Sequence, residues 1–124
     1  MAMPIHVELE GREEIRRALL RLERHAISGA IAATKASAEE LEREARSRVP
    51  VKTGVTRDSV RTIYRDGGLS ASVGSAYMVA RYLEHGTRKM AARRWLAPAW
   101  EIVRPRYLDR LREALGRAAT KAAP

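Results

Sequence analysis

The residues of this chain best suited to acid–base or metal chemistry are His6, His25 and His85 and the carboxylates of Glu39, Glu40, Glu42 and Glu44. A hydrolytic site needs a nucleophile, a base within hydrogen-bond reach and a group that orients the base. His6 falls on the polar side of a predicted strand, and His25 lies beside the apolar stripe of a charged helix. His85 directly follows Glu84, a spacing that sends the two side chains in different directions. The four glutamates share a helical stretch with Arg43, Arg46 and Arg48, the pattern of a solvated face rather than of a metal cage. Asp66-Gly67-Gly68 stands between two strands with no helix behind it, so it is not a phosphate-cradling loop. The reading is therefore a non-enzyme, with no catalytic, cofactor-binding or metal-binding residues.

Phosphate binding is the remaining chemistry to weigh. The 124 residues carry a formal net charge of +9, and the excess is local. Residues 1–50 hold nine Arg and Lys against nine Glu, residues 51–80 four against two, and residues 81–124 eleven against four. Arg88, Lys89, Arg93 and Arg94 cluster on one predicted loop, and Arg104, Arg106, Arg110, Arg112 and Arg117 continue along the last helix. Such side chains bind phosphates without reading sequence. On the helix, however, they spread around the axis and lack the preceding helix of a helix-turn-helix. The excess points to an acidic partner, nucleic acid or protein, unless it reflects only an Ala- and Arg-rich compositional bias.

The elements that must carry these residues follow from periodicity. Pro4 to Glu10 alternates Ile5, Val7 and Leu9 with polar residues, which predicts a short strand. From Arg12 to Arg48 apolar and small residues recur every three or four positions, which predicts a long helix, with Ser28-Gly29 the expected kink or break. Strands over 59–65 and 69–75 flank the Asp66-Gly67-Gly68 turn as a hairpin. Tyr77 to Leu83 reads as a short helix. A C-terminal helix follows, kinked at Pro105 and frayed over 118–124. The expected fold class is α+β, one domain over 1–124: a small antiparallel sheet with a β-hairpin, packed against the long N-terminal helix and the C-terminal helix. In the expected core Leu96, Trp100, Val103, Leu111 and Leu115 pack with Ile15, Leu19, Leu22 and Leu41 over Leu69, Ala71 and Val73.

The chain has no cysteines, which excludes disulfides and thiolate metal sites. No apolar run approaches the roughly 20 residues that span a bilayer. The start Met1-Ala2-Met3-Pro4 lacks the basic and apolar regions of a signal peptide, so the cytoplasm of the producing cell is the expected address.

Two blocks carry a resemblance. The first is Pro50, Thr53, Gly54, Arg57, Ser59 and Val60. The second is Tyr82, Leu83, Glu84, Gly86 and Thr87, continued by Met90, Ala92, Arg93, Trp95, Leu96, Pro98 and Ala99. In order and spacing they resemble the small tail-completion or head–tail joining proteins of long-tailed bacteriophages. Thr56, Arg94 and Trp95 depart from the leucine, proline and phenylalanine expected there.

The resemblance implies a virion building block of the neck: a subunit of a ring, six-fold by expectation, between the head connector or stopper and the tail-tube or tail-terminator proteins. It implies no membrane and allows nonspecific contact with packaged DNA. The candidate assembly residues are Thr53, Gly54 and Arg57 of the first block and Glu84, Gly86, Thr87, Arg88, Lys89, Met90, Arg93 and Trp95 of the second. Glu84 could pair with an arginine across an interface, while Gly86-Thr87 could serve locally as a turn and cap. A small DNA-binding protein using the basic C-terminal segment is the alternative. A small nuclease is weaker, for want of a base–nucleophile pair.

Overall fold

Small residues along two helices decide the architecture. In the computed structural model, which describes residues 12–50 and 54–122 and side chains from residue 16, helix α1 spans Arg12–Arg48 and helix α4 spans Leu96–Ala122. A Cβ placed on Gly29 would lie 2.9 Å from the Cβ of Ala114, so the helices touch nearly backbone to backbone there. Ala33, Ala114, Ala118 and Ala122 are buried around this contact region. Further along, Arg106 and Arg110 of α4 meet Glu40 of α1 at 2.9 and 3.3 Å, which makes the pair antiparallel. Gly29 therefore marks a crossing point rather than a break, and α1 runs through Ser28-Gly29 as one helix. At 1.5 Å per residue its 37 residues are about 55 Å long.

Between the long helices lie a one-turn helix α2 (Val55–Asp58), strands β1 (Arg61–Arg65) and β2 (Ser70–Gly74), and helix α3 (Met78–His85). The strands pair antiparallel with Ile63 opposite Ser72 and Thr62 opposite Val73. Their turn places Asp66, Gly67 and Gly68 all at positive φ, which two glycines accommodate without strain. The Thr62 and Val73 face turns to α1: the Thr62 hydroxyl donates to Glu42 at 2.9 Å, and Val73 packs on the core. The α+β class and the hairpin are as expected. The predicted strand over Pro4 to Glu10 lies outside the described residues.

The core gathers at the C-terminal end of α1. Ala45, Val49, Val60, Ala80, Leu83, Trp95 and Ala99 form it, with Leu41, Val73 and Leu96 against its edge. This corrects the expected core. Trp95, assigned to the loop, is 2% exposed, whereas Trp100 is 41% exposed and Leu19 and Leu115 are also at the surface. The reason is the turn of α4: Ala99 and Val103 face inward, and Trp100, one step from Ala99, is carried outward. Helix α4 continues to Ala122, with Ala118 and Ala122 buried. Pro105 lies inside α4 without ending it. Ile15 lies outside the residues whose side chains are described.

Candidate functional site

Helix α3 ends at His85, and the chain must then turn to reach α4. Gly86 makes the turn at φ 77° and ψ 175° and donates its N–H to the Tyr82 carbonyl at 2.7 Å. A Cβ there would sit 2.9 Å from the Ala92 nitrogen and 3.0 Å from the Met90 oxygen, so both conformation and space demand glycine. Thr87 and Met90 exchange backbone hydrogen bonds of 2.8 and 3.3 Å, which closes a tight turn at the tip. Lys89 donates its N–H to the Thr87 hydroxyl at 3.3 Å. The returning strand of the loop is held where Arg93 donates to the Leu83 carbonyl at 2.6 Å.

Glu84 closes the structure. Its carboxylate accepts the backbone N–H groups of Trp95 at 2.8 Å, Leu96 at 2.9 Å and Ala97 at 3.0 Å. These are orphan donors at the N-terminus of α4, where a negative charge is also favoured by the helix dipole. Burial on its own would raise the Glu84 pKa, but the three N–H donors, with nearby His85, outweigh it and hold the carboxyl below its ordinary value. Eleven residues after Glu84, the Trp95 indole donates to the Ala80 carbonyl at 2.9 Å inside the core. The loop is thus clasped at both ends to α3.

The clasp divides the predicted site residues. Glu84 is committed within its own chain, so the expected pairing with an arginine across an interface gives way to the local cap. Gly86 and Trp95 are likewise frame. Arg88, Lys89, Met90 and Arg93 are exposed on the loop, as are neighbouring Arg81 and Arg94. Among the described residues, no carboxylate pairs with Arg81, Arg88, Lys89, Arg93 or Arg94. Four of the five α4 arginines differ. Arg106 and Arg110 are paired to Glu40, Arg112 meets Asp109 at 3.1 Å and Arg117 meets Glu113 at 3.8 Å. Of the seven cations of 81–124 without an ion pair among the described residues, five lie in 81–94, and the other two are Arg104 and Lys121.

The first block is also mostly frame. Gly54 is buried at φ 84° and caps α2, Val60 is wholly buried, and Arg57 is exposed beside Asp58 at 3.6 Å. Thr53 lies outside the described residues. Ser59 and Ser75 share a hydroxyl hydrogen bond of 2.6 Å, and the Tyr77 N–H donates to the same Ser75 oxygen at 3.0 Å. This link fastens the first block to the start of α3, whose far end carries the second. The signal for it was the serine in Arg-x-Ser-Val; its partner Ser75 stands in a Gly-Ser-Ala stretch with no distinguishing pattern.

Among the described residues, no three His, Cys, Asp or Glu side chains converge on a possible metal position, and none of the helices is long and apolar enough to cross a membrane. His25 is half-buried on α1 and His85 is exposed beyond the clasp; His6 lies outside the described residues.

No curated protein and no solved structure matches the chain. Residues 13–86 match the family model described as "Bacteriophage HK97-gp10, putative tail-component". The match takes in α1, the hairpin and α3 up to the glycine of the clasp. It spans 74 of the 124 residues, well over half, and the chain belongs to this family of phage tail components.

Proposed function

We propose that this protein is a non-enzymatic subunit of the phage neck, a tail-completion or head–tail joining protein that acts as a ring, six-fold by analogy with the resemblance, and that residues 81–94 are its contact with a neighbouring virion component. One observation carries the reading: among the described residues no carboxylate pairs with the four cations Arg88, Lys89, Arg93 and Arg94 on a loop whose backbone is fixed by Glu84, Gly86 and Trp95, or with Arg81 beside it on α3. A preorganised charged surface loses little freedom on binding and sets orientation and encounter rate more than raw affinity.

We assign the complementary surface to another virion protein. Glu40, Glu42, Glu44, Asp109 and Glu113 are each matched by an arginine of the same chain, and Glu84 is spent on α4. Exposed Glu23, Glu39 and Glu101 stay outside these pairs, so most but not all of the described carboxylates are already matched within the chain. The fitting partner is an acidic face of the head connector or stopper, or of the tail-tube or tail-terminator protein. Packaged DNA could be touched by the same cations, without sequence readout. The 124 residues act as one domain in this reading, in the virion after assembly in the host cytoplasm.

The test is to locate the protein in particles. Mass spectrometry of purified virions, with electron microscopy of the neck, should find a fixed small multiple of copies, six per ring, at the head–tail junction. Absence from mature particles, or a stoichiometry matching the tail tube, would contradict it.

A further inference from the structure

A cleft of about 440 Å³ opens between α3, the linker over 74–77 that leads into it, and the start of α4. Ligand-sized clefts run from roughly 300 to 1,000 Å³. Its walls are fixed by bonds already described: the Ser59 and Ser75 hydroxyls hold the linker, and the Glu84 carboxylate holds the start of α4 to α3. Ala80 and Trp95, 1% and 2% exposed, form its floor. The polar groups of that floor are spent on each other, because the Trp95 indole donates to the Ala80 carbonyl at 2.9 Å. Met78, 60% exposed, stands at the rim.

The charge of the cleft comes from α3. Arg81 and His85, four positions apart and both exposed, line it from successive turns of the helix. Glu84 lines it too, but both its oxygens are taken by the N–H groups of Trp95, Leu96 and Ala97, and the start of α4 answers its charge. What remains is a pair of nitrogen donors beside an apolar floor. A carboxylate meets such donors with charge-assisted hydrogen bonds, and an apolar side chain next to it gains by covering the floor. A DNA duplex fits poorly. It is a convex rod with a charge about every 1.7 Å of its axis, which suits the open 88–94 loop better than two donors in a recess. A flipped-out base would bring its polar edge to a floor that has no donor or acceptor left.

We infer that this cleft takes an extended acidic segment of the neighbouring virion protein, with one carboxylate on Arg81 and His85 and an apolar side chain two positions away on Ala80 and Trp95. Residues two apart in an extended chain face the same way, so both side chains enter together. This deepens the contact reading above and rests on it: the cations of the loop steer the acidic partner, and the cleft grips one segment of it.

Fluorescence of the full chain tests it. Trp100→Phe leaves Trp95, in the cleft floor, as the only tryptophan. Titration with a capped Ser-Glu-Ser-Leu-Ser-Glu-Ser peptide should shift its emission saturably. Arg81→Ser and Met78→Glu, both at exposed positions and checked for folding by circular dichroism, should each weaken binding by about tenfold or more. Arg104→Ser, which removes an equal charge from α4, should leave binding unchanged. Peptides with Gln for Glu, or with Ser for Leu, should bind far more weakly. No response at millimolar peptide, equal binding of either control peptide, or full binding by folded Arg81→Ser would overturn the inference. Equal binding of a five-nucleotide thymidine strand would give the cleft to nucleic acid, and self-association that Arg81→Ser abolishes would give it to a second copy; either overturns the assignment to a partner's acidic segment. The position of the protein in virions judges the neck reading separately, so failure of the cleft leaves that reading standing.

Discussion

Glu84 and Trp95, eleven positions apart, are locked to each other: the Glu84 carboxylate takes the Trp95 backbone N–H at 2.8 Å, while the Trp95 indole reaches back to Ala80, one turn before Glu84. Glu84→Ala removes an acceptor from three helix-terminal donors and should lower stability by about 2–3 kcal/mol in urea melts. Glu84→Gln, which keeps an oxygen in place, should lose less. Equal stability of Glu84→Ala and wild type would show that the clasp contributes nothing.

The same carboxylate sets a pH dependence. Its folded pKa lies below the ordinary value, so its stabilisation is complete above the unfolded pKa of about 4.3 and is lost as pH falls through the folded value. Glu40 behaves alike. Burial on its own would raise its pKa, but Arg110 and Arg106 outweigh that and hold it below the ordinary value. Wild-type protein should therefore lose stability on acidification below about pH 4.5. Glu84→Gln should flatten that limb without abolishing it. An unchanged acid limb in Glu84→Gln would remove Glu84 from the account.

Gly86→Ala should cost about 1–3 kcal/mol, since it combines a positive φ with a methyl group pressed against the Ala92 nitrogen. Gly67→Ala is the control: its φ is also positive, but no atom lies within 4 Å of a Cβ built there. Thermal melts should place Gly86→Ala well below Gly67→Ala, and the reverse order would contradict the tight-turn geometry.

The two tryptophans should differ sharply. Trp95→Ala opens the core and should cost about 3–5 kcal/mol. Trp100→Ala, at a 41% exposed position, should cost about 1 kcal/mol. A Trp100→Ala variant as unstable as Trp95→Ala would restore Trp100 to the core.

The pattern of what the sequence revealed follows from where the physics is local. The long helices and the hairpin were legible because periodicity and the Asp66-Gly67-Gly68 turn act over a few residues. Trp95 and Trp100 were exchanged because both lie on apolar-looking stretches, and which one turns inward depends on where Glu84 starts α4. Gly29 looked like a helix breaker because the approach of Ala114, 85 positions away, leaves no local trace. The family motif was legible as a pattern, but its division into frame and free side chains was not. Glu84 and Arg88 are both charged in the sequence, and tertiary contacts alone separate the capping carboxylate from the exposed guanidinium.

The most direct measurement replaces Arg88, Lys89 and Arg93 together by Ser and scores particle assembly in a complementation assay. These exposed, unpaired side chains contribute little to folding, so the variant should melt within about 1 kcal/mol of wild type. It should nevertheless fail to yield joined particles, leaving separate heads and tails by electron microscopy. A normal yield of complete particles from the folded triple variant would contradict the claim that this loop is the assembly contact.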